Sequence, residues 1–289
     1  MKAIIAKPLF TTNEAEAQFK GEHLRHQQVK DLAFAFIQTS ARFIRADGSL
    51  LAVVIKDALD PALVARSYKV LRKVKGDPSN RPEIFGKGVR MNRVREDGFL
   101  SPRVQTPKEL VKAWPNAEAN LLGGYRYRNS KPGVPNCSLT SWTRKCPEAA
   151  AAAVTLGIAV DEVYRAFAPD EYARQAEYVL QIPLLYRLGP TNFSTMYAIK
   201  NKPTAVHRDG FNIPGGMAAL TTLGDFEGAE LCFPQYGVVV DYKPGDVLIA
   251  DVKNELHGNL PLVDGERVTC VFFVREGMHE CPDPLMVEQ

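Results

Sequence analysis

Apolar and polar positions in the C-terminal third of the chain fall into short runs punctuated by glycine and proline. Residues 215–223 read as a strand of small residues ending at Gly224-Asp225. Residues 229–233 alternate apolar and polar, Pro234-Gln235-Tyr236-Gly237 turns, and Val238–Val240 is a run of the fully buried type. Lys243-Pro244-Gly245-Asp246 is a strong turn signal before Val247–Ala250, and residues 267–274 close the set. Many short strands at regular spacing with Gly/Pro turns predict a jelly-roll sandwich or barrel. A strand carrying Phe193-Ser194-Thr195 leads into it, and Ile182-Pro183 and Gly189-Pro190 mark the passage.

Upstream the pattern turns helical. Residues 13–44, with their Glu, Gln, Lys and Ala, predict a helix capped by Asn13 or Thr12. His23 and His26 fall at i and i+3 on it and, with no carboxylate arranged to complete a site, read as surface residues. Leu50–Ile55 is a continuous apolar strand. Asp60-Pro61 then opens a helix reaching about Lys75, with Asp60 as N-cap and Pro61 at the first helical position. Residues 76–108 read as loops with short strands. Residues 147–182 are mostly helical, helped by the alanine run 149–153, with a second start near Pro169-Asp170. The expected class is α+β: one compact unit over 1–289, a jelly-roll core over 183–276, and helical, basic elements over 1–150 packed against it.

Chemistry concentrates in residues 192–276. His207-Arg208-Asp209 is followed fifty residues later by His257, and ten residues after that by Arg267. His-x-Asp puts both side chains on one side of an extended segment, because strand side chains alternate with period two. Two histidines and one carboxylate with open coordination positions form the facial triad of non-haem Fe(II) oxygenases. Arg267 opens the last strand in this reading, where its fork can grip a carboxylate bidentately, and Thr269 on the same face adds a hydroxyl. Each piece alone occurs widely; their order and spacing together carry the reading.

With these residues in view, the segment resembles the double-stranded β-helix core of Fe(II)/2-oxoglutarate-dependent dioxygenases. More narrowly it resembles the TET/JBP group of nucleic-acid base dioxygenases, with its algal and phage-type members. The matching stretches are Phe193-Ser194-Thr195, His207-Arg208-Asp209-Gly210-Phe211-Asn212, Gly228-Ala229-Glu230-Leu231-Cys232-Phe233-Pro234, Tyr242-Lys243-Pro244-Gly245-Asp246, Leu256-His257-Gly258-Asn259 and Arg267-Val268-Thr269. Ala229 departs from the pattern, since many relatives carry a second glycine there. The resemblance implies Fe(II) on His207, Asp209 and His257, and 2-oxoglutarate held by Arg267 and Thr269. It also admits ascorbate as reductant or in place of 2-oxoglutarate, as in an algal relative. The substrate it implies is the 5-methyl group of 5-methylcytosine or thymine in DNA. Asn212 matches an asparagine that contacts the flipped base; the alternative is that it hydrogen-bonds the loop backbone.

Charge bears on the partner. The net formal charge is only +3. Yet residues 61–145 carry 18 Lys/Arg against 6 Asp/Glu, and residues 202–289 carry 6 against 14. Aromatics interleave with the basic stretch at Tyr125-Arg126-Tyr127-Arg128, Trp142 and Arg144, as a groove that meets phosphates and stacks on bases requires. Two rival readings remain at this stage: an oxygenase of a small molecule or amino acid, and a non-catalytic binder that keeps the fold. The five cysteines, Cys137, Cys146, Cys232, Cys270 and Cys281, show no C-x-x-C pairing and read as free thiols in a reducing compartment. His279-Glu280-Cys281 reads as a solvated tail. No apolar run is long enough for a membrane span and the start does not resemble a signal peptide, so a monomer in the nucleus or cytoplasm is expected.

Overall fold

The computed structural model describes residues 1–75, 118–126 and 136–283. In chain order its strands are β1 (Lys2–Ile5), β2 (Ala35–Ile37), β3 (Ala41–Ile44), β4 (Leu50–Ile55), β5 (Glu118–Arg126), β6 (Cys137–Leu139) and β7 (Thr195–Lys200). They continue with β8 (Ala218–Gly228), β9 (Leu231–Phe233), β10 (Val238–Val240), β11 (Val247–Ala250), β12 (Gly258–Asn259) and β13 (Leu262–Phe273). A nine-stranded sheet runs β1-β3-β4-β11-β8-β13-β7-β5-β6, and a four-stranded sheet runs β12-β9-β10-β2. Together they form the jelly roll, and the strand alternation sets its layers. Tyr197, Leu220, Leu248 and Phe273 point between the sheets, where they meet Leu231 and Phe233. Ala219, Ile249, Cys270 and Phe272 point to the opposite face.

Helices cover that opposite face: α3 (Pro61–Leu71) and α5 (Pro147–Phe167) set Val64, Leu71, Leu156 and Val160 against it. The helix α3 starts where expected, since the Asp60 carboxylate accepts from Leu63 N at 2.8 Å and Pro61 needs no partner at the first position. It ends at Leu71, a turn short of Lys75. Between α3 and α5 lies a short helix, α4 (Ser141–Lys145), capped by Thr140. After α5 comes α6 (Pro169–Val179). No helix among the described residues is long and apolar enough to cross a membrane.

The expected helix over 13–44 does not form as one piece. It divides into α1 (Thr12–Phe19) and α2 (His26–Asp31), and β2 and β3 follow. Gly21 and Ala33 adopt left-handed backbone at φ +80° and +54°, which no helix continues through. Thr11, rather than Asn13 or Thr12, caps α1 in a reciprocal box with Glu14. Phe19, Leu24, Val29 and Phe34 then pack on Cys232, Val239 and Leu256, sealing the outer side of the small sheet. His26 is tied down as well, its Nε2 lying 2.9 Å from a Glu230 carboxylate oxygen. The core therefore extends beyond 183–276: β3 and β4 extend the large sheet past β11, and β5 pairs with β7.

Three further differences bear on the site or on stability. Strand β8 starts at Ala218 and continues to Gly228, and β13 begins at Leu262, so Arg267 stands mid-strand rather than at its opening. Its cross-strand partner is Gly224, at φ +109°, where a Cβ would lie 2.1 Å from Glu266 O. Ala229 has φ +60°, which explains physically why a glycine suits that position.

The cysteines require the third correction. Cys137 of β6 and Cys281 form a disulfide across 144 residues, while Cys146, Cys232 and Cys270 remain thiols. Of the segment read as a solvated tail, His279 and Glu280 are exposed at the end of a one-turn 3-10 helix, Met278–Glu280, while Cys281 is buried in the disulfide. A cross-link closing so long a loop contributes about 2–4 kcal/mol. Reducing agent should therefore lower the Tm by several degrees, and a Cys137→Ser/Cys281→Ser double variant should no longer respond to it. An unaltered Tm would return both residues to the thiol state.

Candidate active site

Two ligand segments meet through their backbones. His207 and His257 form an isolated antiparallel bridge in which each N–H donates to the other's carbonyl at 2.9 Å. Their rings consequently stand side by side, with centroids 4.5 Å apart. Asp209 is held by its N–H, which donates to Val252 O at 2.8 Å, and its Oδ1 lies 3.4 Å from His207 Nε2. One ligand atom from each of the three residues falls within 4.8 Å of the others. His207 Nδ1 is 2.7 Å from Ala205 O, and His257 Nδ1 is 3.1 Å from Glu255 O. A carbonyl only accepts, so each ring carries its proton on Nδ1 and keeps an Nε2 lone pair for a metal. Two imidazole nitrogens and one carboxylate, converging from neighbouring segments, fit Fe(II).

Beside the triad lies a cavity between the sheets, walled by Tyr197, Leu220, Thr269, Val271 and Phe273. Arg267 extends the same face of β13 and is 4% exposed. Its Nη2 donates to the Tyr242 hydroxyl at 2.7 Å, and its guanidinium lies 5.4 Å from the Tyr242 ring centroid and 5.7 Å from that of Phe226. The Nε is buried with no hydrogen-bond partner. Folded proteins seldom leave such a donor unused, and the guanidinium fork matches a carboxylate. This end of β13 thus fits a group that carries one. Arg267 and Lys202 together line a second, small hollow, and burial pushes the Lys202 ammonium down to about 7.

The profile of the Tet_JBP family, described as the oxygenase domain of the 2OGFeDO superfamily, matches residues 122–276, more than half of the chain. The chain belongs to this family. Membership implies Fe(II) and 2-oxoglutarate as the groups its site takes. The bifunctional helicase and thymine dioxygenase JBP2 of Trypanosoma cruzi (strain CL Brener) is 31% identical over 201 residues, covering 66% of this chain and 18% of that protein. Thymine dioxygenase JBP1 of Crithidia fasciculata is 30% identical over 168 residues, covering 56% of this chain and 20% of that protein. The chain therefore spans about a fifth of the length of these curated relatives. NgTET1 in complex with 5mC DNA is similar in fold, with TM-score 0.60 at 15% identity over 86% of this chain and 81% of that one.

Within this Tet_JBP domain, the residues singled out for substrate separate into four groups. Asn212 is 1% exposed; its Oδ1 accepts from Ile213 N at 2.9 Å and its Nδ2 donates to Gly216 O at 3.1 Å. Its amide is thus bonded to its own loop, and Asn212 is not among the residues of the cavity wall. Arg126 donates to Gly277 O and pairs with Glu280 at 2.5 Å, so its charge braces the C-terminal turn. Tyr125 lies against the Arg275 guanidinium at 4.0 Å, with Phe211 at 4.8 Å from it. Tyr127 and Arg128 lie outside the described residues, as does most of the basic stretch.

Two features of the site had no recognisable trace in the sequence. One is Tyr242 as partner of Arg267. The other is a clamp on the third ligand's segment: Arg45 reaches Asp251 at 2.7 Å and Glu255 at 2.8 Å, and the Tyr236 hydroxyl donates to Glu255 at 3.0 Å. Burial pulls the Arg45 pKa down, but its hydrogen bonds and the two carboxylates outweigh this and hold it above its ordinary value. Glu255 O in turn accepts from His257 Nδ1. Outer contacts of this kind tune metal affinity by about 10- to 100-fold. Arg45→Met should weaken Fe(II) binding by that order, read by metal titration under anaerobic conditions. Unchanged metal affinity would confine the clamp to folding.

Proposed function

We propose that this domain oxidises the 5-methyl group of a pyrimidine base, 5-methylcytosine or thymine, in DNA, using Fe(II) and 2-oxoglutarate. The observation that carries the reading is the His207–Asp209–His257 donor set on a cavity between the sheets, with the buried Arg267 and its open Nε next to Thr269 of the cavity wall on the same face of β13. The names of the thymine dioxygenase relatives support the substrate, as does the likeness of fold to NgTET1 in complex with 5mC DNA. The bound metal and 2-oxoglutarate, with dioxygen, supply the oxidation of a C–H bond and release succinate and carbon dioxide.

The chain's own residues bind, orient and exclude water. His207, Asp209 and His257 hold the ion and leave its other positions open. Arg267 and Thr269 grip the distal carboxylate of 2-oxoglutarate, and Tyr242 steadies the guanidinium. Leu220, Val271 and Phe273 form an apolar wall that keeps bulk water from the reacting centre. The Tyr125 ring, stacked on Arg275 beside Phe211, offers a flat face to a base that has left the helix. Ascorbate lacks the carboxylate that the Arg267 fork matches, which favours 2-oxoglutarate as the co-substrate.

The discriminating test is succinate formation with DNA of defined methyl content. Duplexes containing 5-methylcytosine or thymine should stimulate 2-oxoglutarate turnover, while duplexes built from cytosine and uracil, which carry no 5-methyl group, should not. Equal turnover with and without these methyl groups would point to a small-molecule substrate instead.

A further inference from the structure

Several buried threonines among the described residues spend their hydroxyl on a carbonyl: Thr221 on Asp246 O at 2.7 Å, Thr195 on Gly124 O at 3.0 Å, Thr191 on Leu188 O at 2.7 Å. Thr222 does not. It is fully buried, and its Oγ1 has no hydrogen-bond partner. Its position gives that hydroxyl a direction. In the β8–β13 ladder Thr222 lies directly opposite Thr269, with Leu220 opposite Val271 and Gly224 opposite Arg267. Residues directly opposite in an antiparallel pair project from the same face. Leu220, Thr269 and Val271 line the triad's cavity, so Thr222 faces the same interior. Its next neighbour along that face is Gly224, which has no side chain to intervene before Arg267. Thr222 also bridges to Pro244, two residues from the Tyr242 that holds the Arg267 guanidinium.

Two buried polar atoms without partners, Thr222 Oγ1 and Arg267 Nε, therefore lie on diagonal neighbours of one sheet face. We propose that Thr222 is a specificity-determining residue of the co-substrate pocket, donating its hydroxyl to the distal carboxylate of 2-oxoglutarate alongside Arg267 and Thr269. The inference rests on the reading that this pocket takes 2-oxoglutarate. A carboxylate offers about four lone-pair sites. The Arg267 fork occupies two of them and leaves places for the hydroxyls of Thr222 and Thr269. A 2-oxo acid that ends in a methyl group leaves Thr222 as unpartnered as it is now. Thr222 thus helps select a dicarboxylate.

The test is calorimetric binding to the full chain with Fe(II) present and oxygen excluded, comparing 2-oxoglutarate with 2-oxobutanoate, which lacks the distal carboxylate. Thr222→Val should raise the Kd for 2-oxoglutarate roughly tenfold, the usual worth of a hydrogen bond to a charged group, and leave that for 2-oxobutanoate within about twofold. Thr222→Ser, which keeps the hydroxyl, should bind 2-oxoglutarate nearly as the parent does. The ligand-free Val variant should unfold at the same or a higher temperature, because it loses a buried hydroxyl that has no partner. A lower Tm would give the hydroxyl a structural partner and overturn the proposal. So would equal weakening for both ligands, or unchanged 2-oxoglutarate binding in Thr222→Val while Arg267→Ala weakens it. Unchanged binding in Arg267→Ala would instead overturn the reading of the pocket itself, and this inference with it.

Discussion

Replacing His207, Asp209 or His257 by alanine is expected to abolish Fe(II) binding and turnover while the domain remains folded. Contacts one step removed from a metal already change its affinity about 10- to 100-fold, so loss of a ligand atom should exceed that range. The fold should survive because its apolar packing does not depend on the ligands: Phe272, Leu156 and Val160 pack beneath the helices, and Leu248 and Phe233 between the sheets. Thermal unfolding supplies a second readout. A metal at about 100 times its Kd that binds only the folded chain stabilises it by about 2.7 kcal/mol. The parent protein should therefore show a higher Tm with Fe(II) under anaerobic conditions than with a chelator, and the three variants should show no difference. A variant that keeps both the shift and the activity would remove that residue from the metal site.

Arg267→Ala should produce the next largest effect, and of a different kind. A charge-assisted hydrogen bond is worth on the order of 1.5–3 kcal/mol, so the apparent KM for 2-oxoglutarate should rise roughly tenfold to a hundredfold. At saturating 2-oxoglutarate kcat should largely recover, because Arg267 grips the far end of the molecule and not the reacting carbons. The substitution also strips Tyr242, 2% exposed, of its hydrogen-bond partner. Tyr242→Phe separates the two contributions: it keeps the guanidinium and should raise KM much less. A KM within about threefold of the parent in Arg267→Ala would mean that the carboxylate lies elsewhere.

How much of this was legible in the sequence varies with how local the cause is. Asp60-Pro61 announces a helix start because the cap and the first turn involve neighbours in the chain, and α3 begins there. Val238–Val240 and Val247–Ala250 read as buried strands because nothing polar interrupts them. The triad was legible because three ligand types at this spacing carry their chemistry with them, and the chain brings all three together. What failed depends on distant partners. Residues 35–37 and 41–44 carry helix-forming neighbours, yet pairing with β10 and β4 draws them into sheets. Cys137 and Cys281 are 144 residues apart, and Arg45 meets Glu255 across 210. No spacing rule reaches that far. Asn212 illustrates a subtler limit: its position beside the ligands suggests a role toward the base, and its hydrogen bonds to Ile213 and Gly216 of its own loop have no signature in the sequence.

The most direct test of the whole account is mass spectrometry of nucleosides from DNA incubated with the protein, Fe(II) and 2-oxoglutarate. The account predicts 5-hydroxymethylated cytosine or uracil, dependent on 2-oxoglutarate, with one succinate formed per oxidation and neither product from His257→Ala. Succinate formed with no oxidised base from any methylated DNA would contradict it.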